Sequence, residues 1–204
     1  MERTLVKLEY PEDATPINAD ATQDLLQPQI TTQAQLNEAE QANILDAQLW
    51  TRTRQHKNLL DERFLKKIHK RMFGDVWKWA GEFKRTDHQN ERFTPRGGVA
   101  IRLRELLENT KYRLEKKRPT NQREWDRFGA EFHHQLVLVH AFTNGNGRHA
   151  REITDLLLIQ QGQIPFTWGG TSLTVPSDLR RRYIDALHAA DDGDYALLVE
   201  FVRS

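Results

Sequence analysis

Apolar positions recur at helical spacing along most of this chain, and polar caps mark where each run begins. Thr32 with Gln35 forms a capping box, and Leu36, Ala39, Asn43, Ile44, Leu49 and Trp50 follow, which predicts a long helix over 32–53. Asp61 opens a second, with Phe64, Leu65, Ile68 and Met72 on one face. From Ala100 to Lys117 the spacing returns through Ile101, Leu103, Leu106, Leu107, Tyr112 and Leu114, until Pro119 ends it. Asn121 with Glu124 caps the next run, where Trp125, Phe128, Phe132, Leu136 and Val139 make a continuous stripe leading to His140. After a glycine-rich break, Ile153, Leu156 and Leu157 resume the pattern. A helix opened by Pro176-Ser177 carries Tyr183, Ile184 and Leu187, and a short one runs from Tyr195 to Val202. Glycines, aromatics and alternating types between Gly74 and Gly98 predict a turn-rich segment with a small β-hairpin. Residues 1–30 hold Pro11, Pro16 and Pro28 and read as an extended arm. The expectation is one all-α domain over 31–204 with a hairpin, and no internal repeat.

Composition narrows the class. Hydrophobic content of 38% and a mean hydropathy of −0.75 read as a soluble, charge-rich helical protein. No apolar run approaches the ~20 residues needed to cross a bilayer, and the first residues lack a signal-peptide core, so no membrane partner is expected. The chain has no cysteine, which removes disulfides and thiolate metal sites and suits a cytoplasmic location. With 30 basic and 29 acidic side chains the net charge is +1, which gives no global drive toward nucleic acid. The basic runs at Lys66–Arg71 and Lys116–Arg118 read as solvated helix faces or cation-rich helix ends.

The chemistry concentrates in His140-Ala-Phe-Thr-Asn-Gly-Asn-Gly-Arg148-His-Ala-Arg151. Gly145 and Gly147 admit positive φ, so that with Asn146 their backbone N–H groups can form an anion nest. A helix beginning near Arg148 adds its N-terminal dipole to the same place. Arg148 and Arg151, three residues apart, share a helix face and can hold further phosphates with forked donors. His140 is the group able to remove a proton near neutral pH. His133 and His134 do not share one face with His140, which argues against a metal trio, and His149 should face away from the phosphates.

This segment resembles the signature of Fic (Fido-fold) proteins, HxFx(D/E)GNGRxxR, at His140, Phe142, Gly145, Asn146, Gly147, Arg148 and Arg151. The family's acidic position is Asn144 here. The resemblance implies a helical Fic fold with a β-hairpin flap at 82–96 and a catalytic loop at 140–151. It also implies a protein AMP transferase that moves AMP from ATP to a Ser, Thr or Tyr hydroxyl of a target protein docked on the flap. In that reading His140 is the general base, Gly145, Asn146 and Gly147 form the anion hole, and Arg148 and Arg151 meet the outer phosphates. Phe142 anchors the loop in the core, Phe93 clamps the target, and Tyr183 and Leu187 occupy the family's adenine pocket.

Mg²⁺ would accompany ATP. Asn144 offers that ion one neutral oxygen in place of a carboxylate, so two alternatives stand: a Fic-fold phosphotransferase, or a non-catalytic nucleotide- or partner-binding module. Glu40 on the first helix corresponds to the family's inhibitory glutamate and would pair with Arg151, although Leu36 and Gln41 miss the pattern around it. The arrangement is similar to a bacterial subgroup, mobile mystery protein B, encoded beside a small helix-turn-helix protein. That implies a small regulatory, antitoxin-like partner.

Overall fold

The computed structural model describes residues 23–87, 90–170 and 178–204. Their helices are α1 (Gln33–Arg52), α2 (Glu62–Phe73), α3 (Val99–Lys116), α4 (Gln122–Val139), α5 (Asn146–Gln160), α6 (Asp178–Asp191) and α7 (Ala196–Val202), with one 3-10 turn at Arg96–Gly98 before α3. α4 and α5 form the centre. α3, α6 and α7 pack around α4, while α2 packs on both α5 and α1, and α1 also reaches α5 through its side chains.

Caps set the helix starts where the sequence places them. Thr32 accepts the Gln35 N–H while the Gln35 side chain returns to the Thr32 N–H, and Asp61 accepts from Arg63 and Phe64. Asn121 accepts from Glu124. The stripe of α4 is buried from Trp125 to Val139, against Ile153, Leu156, Leu157 and Leu158 of α5. At roughly 1.5–3 kcal/mol per large apolar side chain, this seam is the main support of the loop that joins the two helices.

Two buried carboxylates tie α1 down. Glu152 of α5 accepts from Thr51 at 2.9 Å and from Arg52 at 2.8 Å. Glu40 accepts from the Trp77 indole at 2.7 Å and pairs with Arg148. The described part of the N-terminal arm, 23–30, lies along residues 75–78, with Leu26 N–H donating to Val76 O and Lys78 N–H to Asp24 O. The rest of the expected arm lies outside the described residues, as does the expected helix opening at Pro176-Ser177.

The hairpin is not formed among the described residues, where Leu25–Trp77 is an isolated antiparallel bridge and no strand occurs. Residues 82–87 and 90–95 are turns, bends and irregular backbone. The reason lies in where their backbone groups go. Lys84 N–H donates to Ala141 O at 2.9 Å and Thr94 N–H to Leu138 O at 3.0 Å, so the two legs of the flap bond the end of α4 instead of each other. The Lys84 ammonium closes the gap by donating to Thr94 O at 2.6 Å.

Candidate functional site

α4 ends on His140, whose backbone is left-handed at φ 45° and ψ 55°. For a residue with a Cβ this costs about 1–2 kcal/mol, and it turns the chain sharply away from the helix axis. The flap legs hold the turn from both sides, through Leu138 O and Ala141 O. Phe93 completes it by stacking on the His140 ring at 3.8 Å between centroids. His140 is consequently buried.

The loop then closes on its own side chains. The amide of Asn146 accepts from Phe142 N–H at 2.9 Å and donates to Phe142 O at 2.8 Å. Asn146 therefore serves as a staple with its side chain, and only its backbone N–H is offered to a ligand. Gly145 takes φ 76° and starts α5 as its N-cap. The expectation of a second positive φ at Gly147 is not met: Gly147 lies inside the first turn of α5, with its φ outside that range. The first intrahelical bond runs from His149 N–H to Gly145 O, so the N–H groups of Asn146, Gly147 and Arg148 precede the ladder and point out of the helix end.

Residues 59–158 match the family model described as the Fic/DOC family. The chain belongs to the Fic/DOC family. A protein adenylyltransferase fic-1 of Caenorhabditis elegans is 39% identical over 70 residues, 34% of this chain and 12% of the relative. A protein adenylyltransferase Fic of Drosophila grimshawi is 29% identical over 136 residues, 66% of this chain and 26% of the relative. The chain thus spans about a quarter or less of the length of these curated relatives. Among solved structures, a Bartonella tribocorum BepC protein with bound AMPPNP superposes with a TM-score of 0.69 at 17% identity, covering 85% of this chain and 87% of that one. C. elegans Fic-1 superposes at 0.60 with 25% identity, over 79% of this chain and 46% of that one.

In this Fic domain the two arginines of α5 diverge. Arg148 turns toward α1 and α2, pairing with Glu40 at 2.5 Å, donating to Asn144 Oδ1 at 3.3 Å and lying over Phe73. Arg151 turns toward α6, its guanidinium 5.8 Å from the centre of the Tyr183 ring. Glu40 therefore engages Arg148, not Arg151 as its place in the sequence suggested, because Trp77 fixes one carboxylate oxygen and leaves the other beside the first arginine. Asn144 Oδ1 also accepts from Gly145 N–H at 2.6 Å.

Tyr183 and Leu187 are both buried. The Tyr183 hydroxyl hydrogen-bonds His133 at 2.9 Å, beneath Gly147. His134 bonds Asp191 and Tyr195, and His149 bonds Leu65 O. Burial holds His133 down at about 3 and His149 at about 4, so both are neutral spacers. Burial, with the nearby charge of Arg148 adding to it, pushes the Arg151 guanidinium below its usual value, yet it stays a cation at neutral pH.

Three residues that hold the loop and the flap were not legible in the sequence: Lys84, Arg92 and His69. Arg92 ties the flap to α6 through Asp191 at 2.7 Å and Leu187 O at 3.3 Å. His69 bridges Gly81 and Asn144. No group of three or more His, Cys, Asp or Glu able to hold a metal lies together among the described residues. The one oxygen expected to meet a metal, that of Asn144, is neutral and already accepts two donors, so these residues do not fit a protein-held Mg²⁺.

Proposed function

We propose that this protein transfers AMP from ATP to a Ser, Thr or Tyr hydroxyl of another protein. The observation that carries the reading is the juxtaposition of His140, locked in a left-handed turn, with the open N-terminus of α5 and its two arginines. Similarity to adenylyltransferases supports the reaction type. In this mechanism the first-turn N–H groups of α5 receive the phosphate chain, and Arg148 and Arg151 meet the β and γ groups. The flap presents the target hydroxyl. His140 takes the hydroxyl proton as the oxygen bonds the α-phosphorus; the bond from that phosphorus to the β-bridging oxygen breaks, and pyrophosphate leaves. Any Mg²⁺ would travel with the nucleotide's phosphates, and no step is assigned to it here.

Glu40 restrains the site in this reading, since Arg148 cannot serve a phosphate fully while paired to a buried carboxylate. Incubation of the full chain with a cell extract and either α- or γ-labelled ATP tests the proposal. Label should enter protein from α-labelled ATP and fall on the order of 10²–10⁴-fold with His140→Ala. Label from γ-labelled ATP alone would establish the phosphotransferase instead. ATP binding without transfer, even in Glu40→Gly, would favour a nucleotide-binding module, a reading to which the internal pairing of Asn144 and Arg148 lends weight.

A further inference from the structure

His69 lies on α2, fully buried, 75 positions before Asn144 in the chain. Its ring nitrogens have unequal tasks. Gly81 N–H donates to Nδ1 at 3.0 Å, so Nδ1 must carry a lone pair; Nε2 then holds the proton and donates to Asn144 O at 3.0 Å. The ring is stacked on Phe142 at 3.7 Å and 16°, and His149 closes its edge at 5.5 Å. Burial first, with the Arg148 charge adding to it, disfavours a second proton. A charged ring would also turn Nδ1 into a donor facing the Gly81 N–H.

The consequence falls on the next peptide. The Asn144–Gly145 bond is trans, as are all the peptide bonds described, and in a trans peptide the N–H points opposite to the C=O. With Asn144 O held inward by His69, Gly145 N–H is aimed out of the core. There it meets Asn144 Oδ1 at 2.6 Å, the same oxygen that accepts from Arg148 at 3.3 Å. That amide oxygen sits where two donors converge, the position an anion's oxygen would take.

We propose that His69 is a positioning residue for the anion-binding loop: through one neutral tautomer it fixes the Asn144–Gly145 peptide so that Gly145 N–H faces the ligand. The inference rests on the phosphate-cradle reading of the same loop, and it adds a residue outside the motif to that machinery.

Two isosteric substitutions separate this role from simple packing. In His69→Gln the side-chain amide can reach the Nε2 position and keep a donor for Asn144 O. In His69→Asn it reaches only the Nδ1 position, keeping the acceptor for Gly81 N–H. In the full chain, ATP binding by calorimetry should weaken at least about tenfold in His69→Asn, and by no more than about threefold in His69→Gln. A purely structural histidine would make His69→Gln, which loses the Gly81 bond, the worse of the two; that order overturns the proposal.

The same variants without ligand give a readout independent of nucleotide. The Gly145 amide resonance should keep its wild-type shift in His69→Gln and move or broaden in His69→Asn. If the wild type takes no ATP, the proposed reaction fails while the Gly145 resonance still decides the role of His69. Should neither variant fold, ring ¹⁵N shifts of the wild-type protein remain: a protonated Nε2 with a bare Nδ1 supports the proposal, and an Nδ1–H or charged ring at neutral pH refutes it.

Discussion

Replacing Gly145 with alanine should damage the fold far more than the same change at Gly147, two residues on. An alanine at 145 must hold φ near 76°, which costs about 1–2 kcal/mol for a residue with a Cβ. Its methyl would also stand 2.5 and 2.6 Å from Cζ and Cε2 of Phe73. Phe73 is fully buried, with the His69 ring 4.8 Å away and the Arg148 guanidinium over its face, so it cannot yield cheaply. Overpacking of this kind adds roughly 1–3 kcal/mol. The sum, about 2–5 kcal/mol, is a large share of the ~5–15 kcal/mol that holds a typical domain together. At Gly147 the added methyl meets only the Tyr183 hydroxyl at 3.7 Å, an ordinary contact, and helical backbone favours alanine over glycine by about 0.5–1 kcal/mol. Urea unfolding followed by circular dichroism, with slopes compared as well as midpoints, measures both variants. Gly145→Ala should lower the midpoint sharply and Gly147→Ala should leave it level or raised. Equal shifts in the two variants, or a Gly145→Ala loss below about 1 kcal/mol, would refute this account of the loop.

Glu40→Gln keeps an acceptor for the Trp77 indole but removes the charge facing Arg148, so ATP affinity should rise about three- to tenfold by calorimetry; unchanged affinity would show that the pair does not restrain the site. Arg92→Ala severs the ties from the flap to Asp191 and Leu187 O, and hydrogen exchange at the Phe93 and Thr94 amides should quicken by at least about tenfold, whereas unaltered exchange would mean that the Leu138 and Ala141 bonds suffice. Stability should fall between pH 7 and pH 5. His133 and His149, at about 3 and about 4 in the fold against an ordinary 6.5, contribute fully above pH 6.5 and lose that contribution as pH falls. Asp155 is raised to about 6 from 3.8, chiefly by burial, and so acts in the opposite sense: its contribution is full below 3.8 and lost as pH rises through 6. Two histidines outweigh one aspartate by on the order of 2 kcal/mol at pH 5, and a urea midpoint at pH 5 equal to that at pH 7 would contradict the assignment.

What could be read from the sequence was what the chain encodes locally. Caps such as Thr32 and Asp61, together with the 3.6-residue spacing behind them, place helix starts because both partners lie within one turn. The loop was legible for the same reason, since His140, the glycines and both arginines fall within twelve consecutive residues. The flap shows the limit. Its glycines and turn residues foretell a reversal of the chain, but they do not say whether Lys84 and Thr94 will bond each other or the end of α4. His69 was hidden within the basic run Lys66-Lys67-Ile-His-Lys-Arg, and nothing near it in sequence points to Asn144, 75 positions away. Glu40 and Arg148, 108 positions apart, are a further case. Helical spacing puts Arg148 and Arg151 on one face, whereas the neighbours Glu40 and Tyr183 decide that they part.

The groups assigned to the nucleotide are already engaged within the protein. Gly145 N–H and one arm of Arg148 share the Asn144 oxygen; the other arm holds Glu40. Arg151 lies against the Tyr183 ring, and the His140 ring is covered by Phe93. On the proposed reading, nucleotide binding would be an exchange of one acceptor for another, its free energy the difference between phosphate oxygens and these internal ones. Asn144 gives way readily, because its neutral amide is the weaker acceptor and turning it leaves no buried charge behind. Glu40 does not. Turning it away from Arg148 would also strip the Trp77 indole of its acceptor, at a cost of about 1–3 kcal/mol for a buried donor. Moving the whole helix would pull Thr51 and Arg52 from Glu152. In the proposed reaction, the resistance to nucleotide would reside in α1 and its two buried carboxylate anchors, and the exchange at the glycine loop would be the easier one.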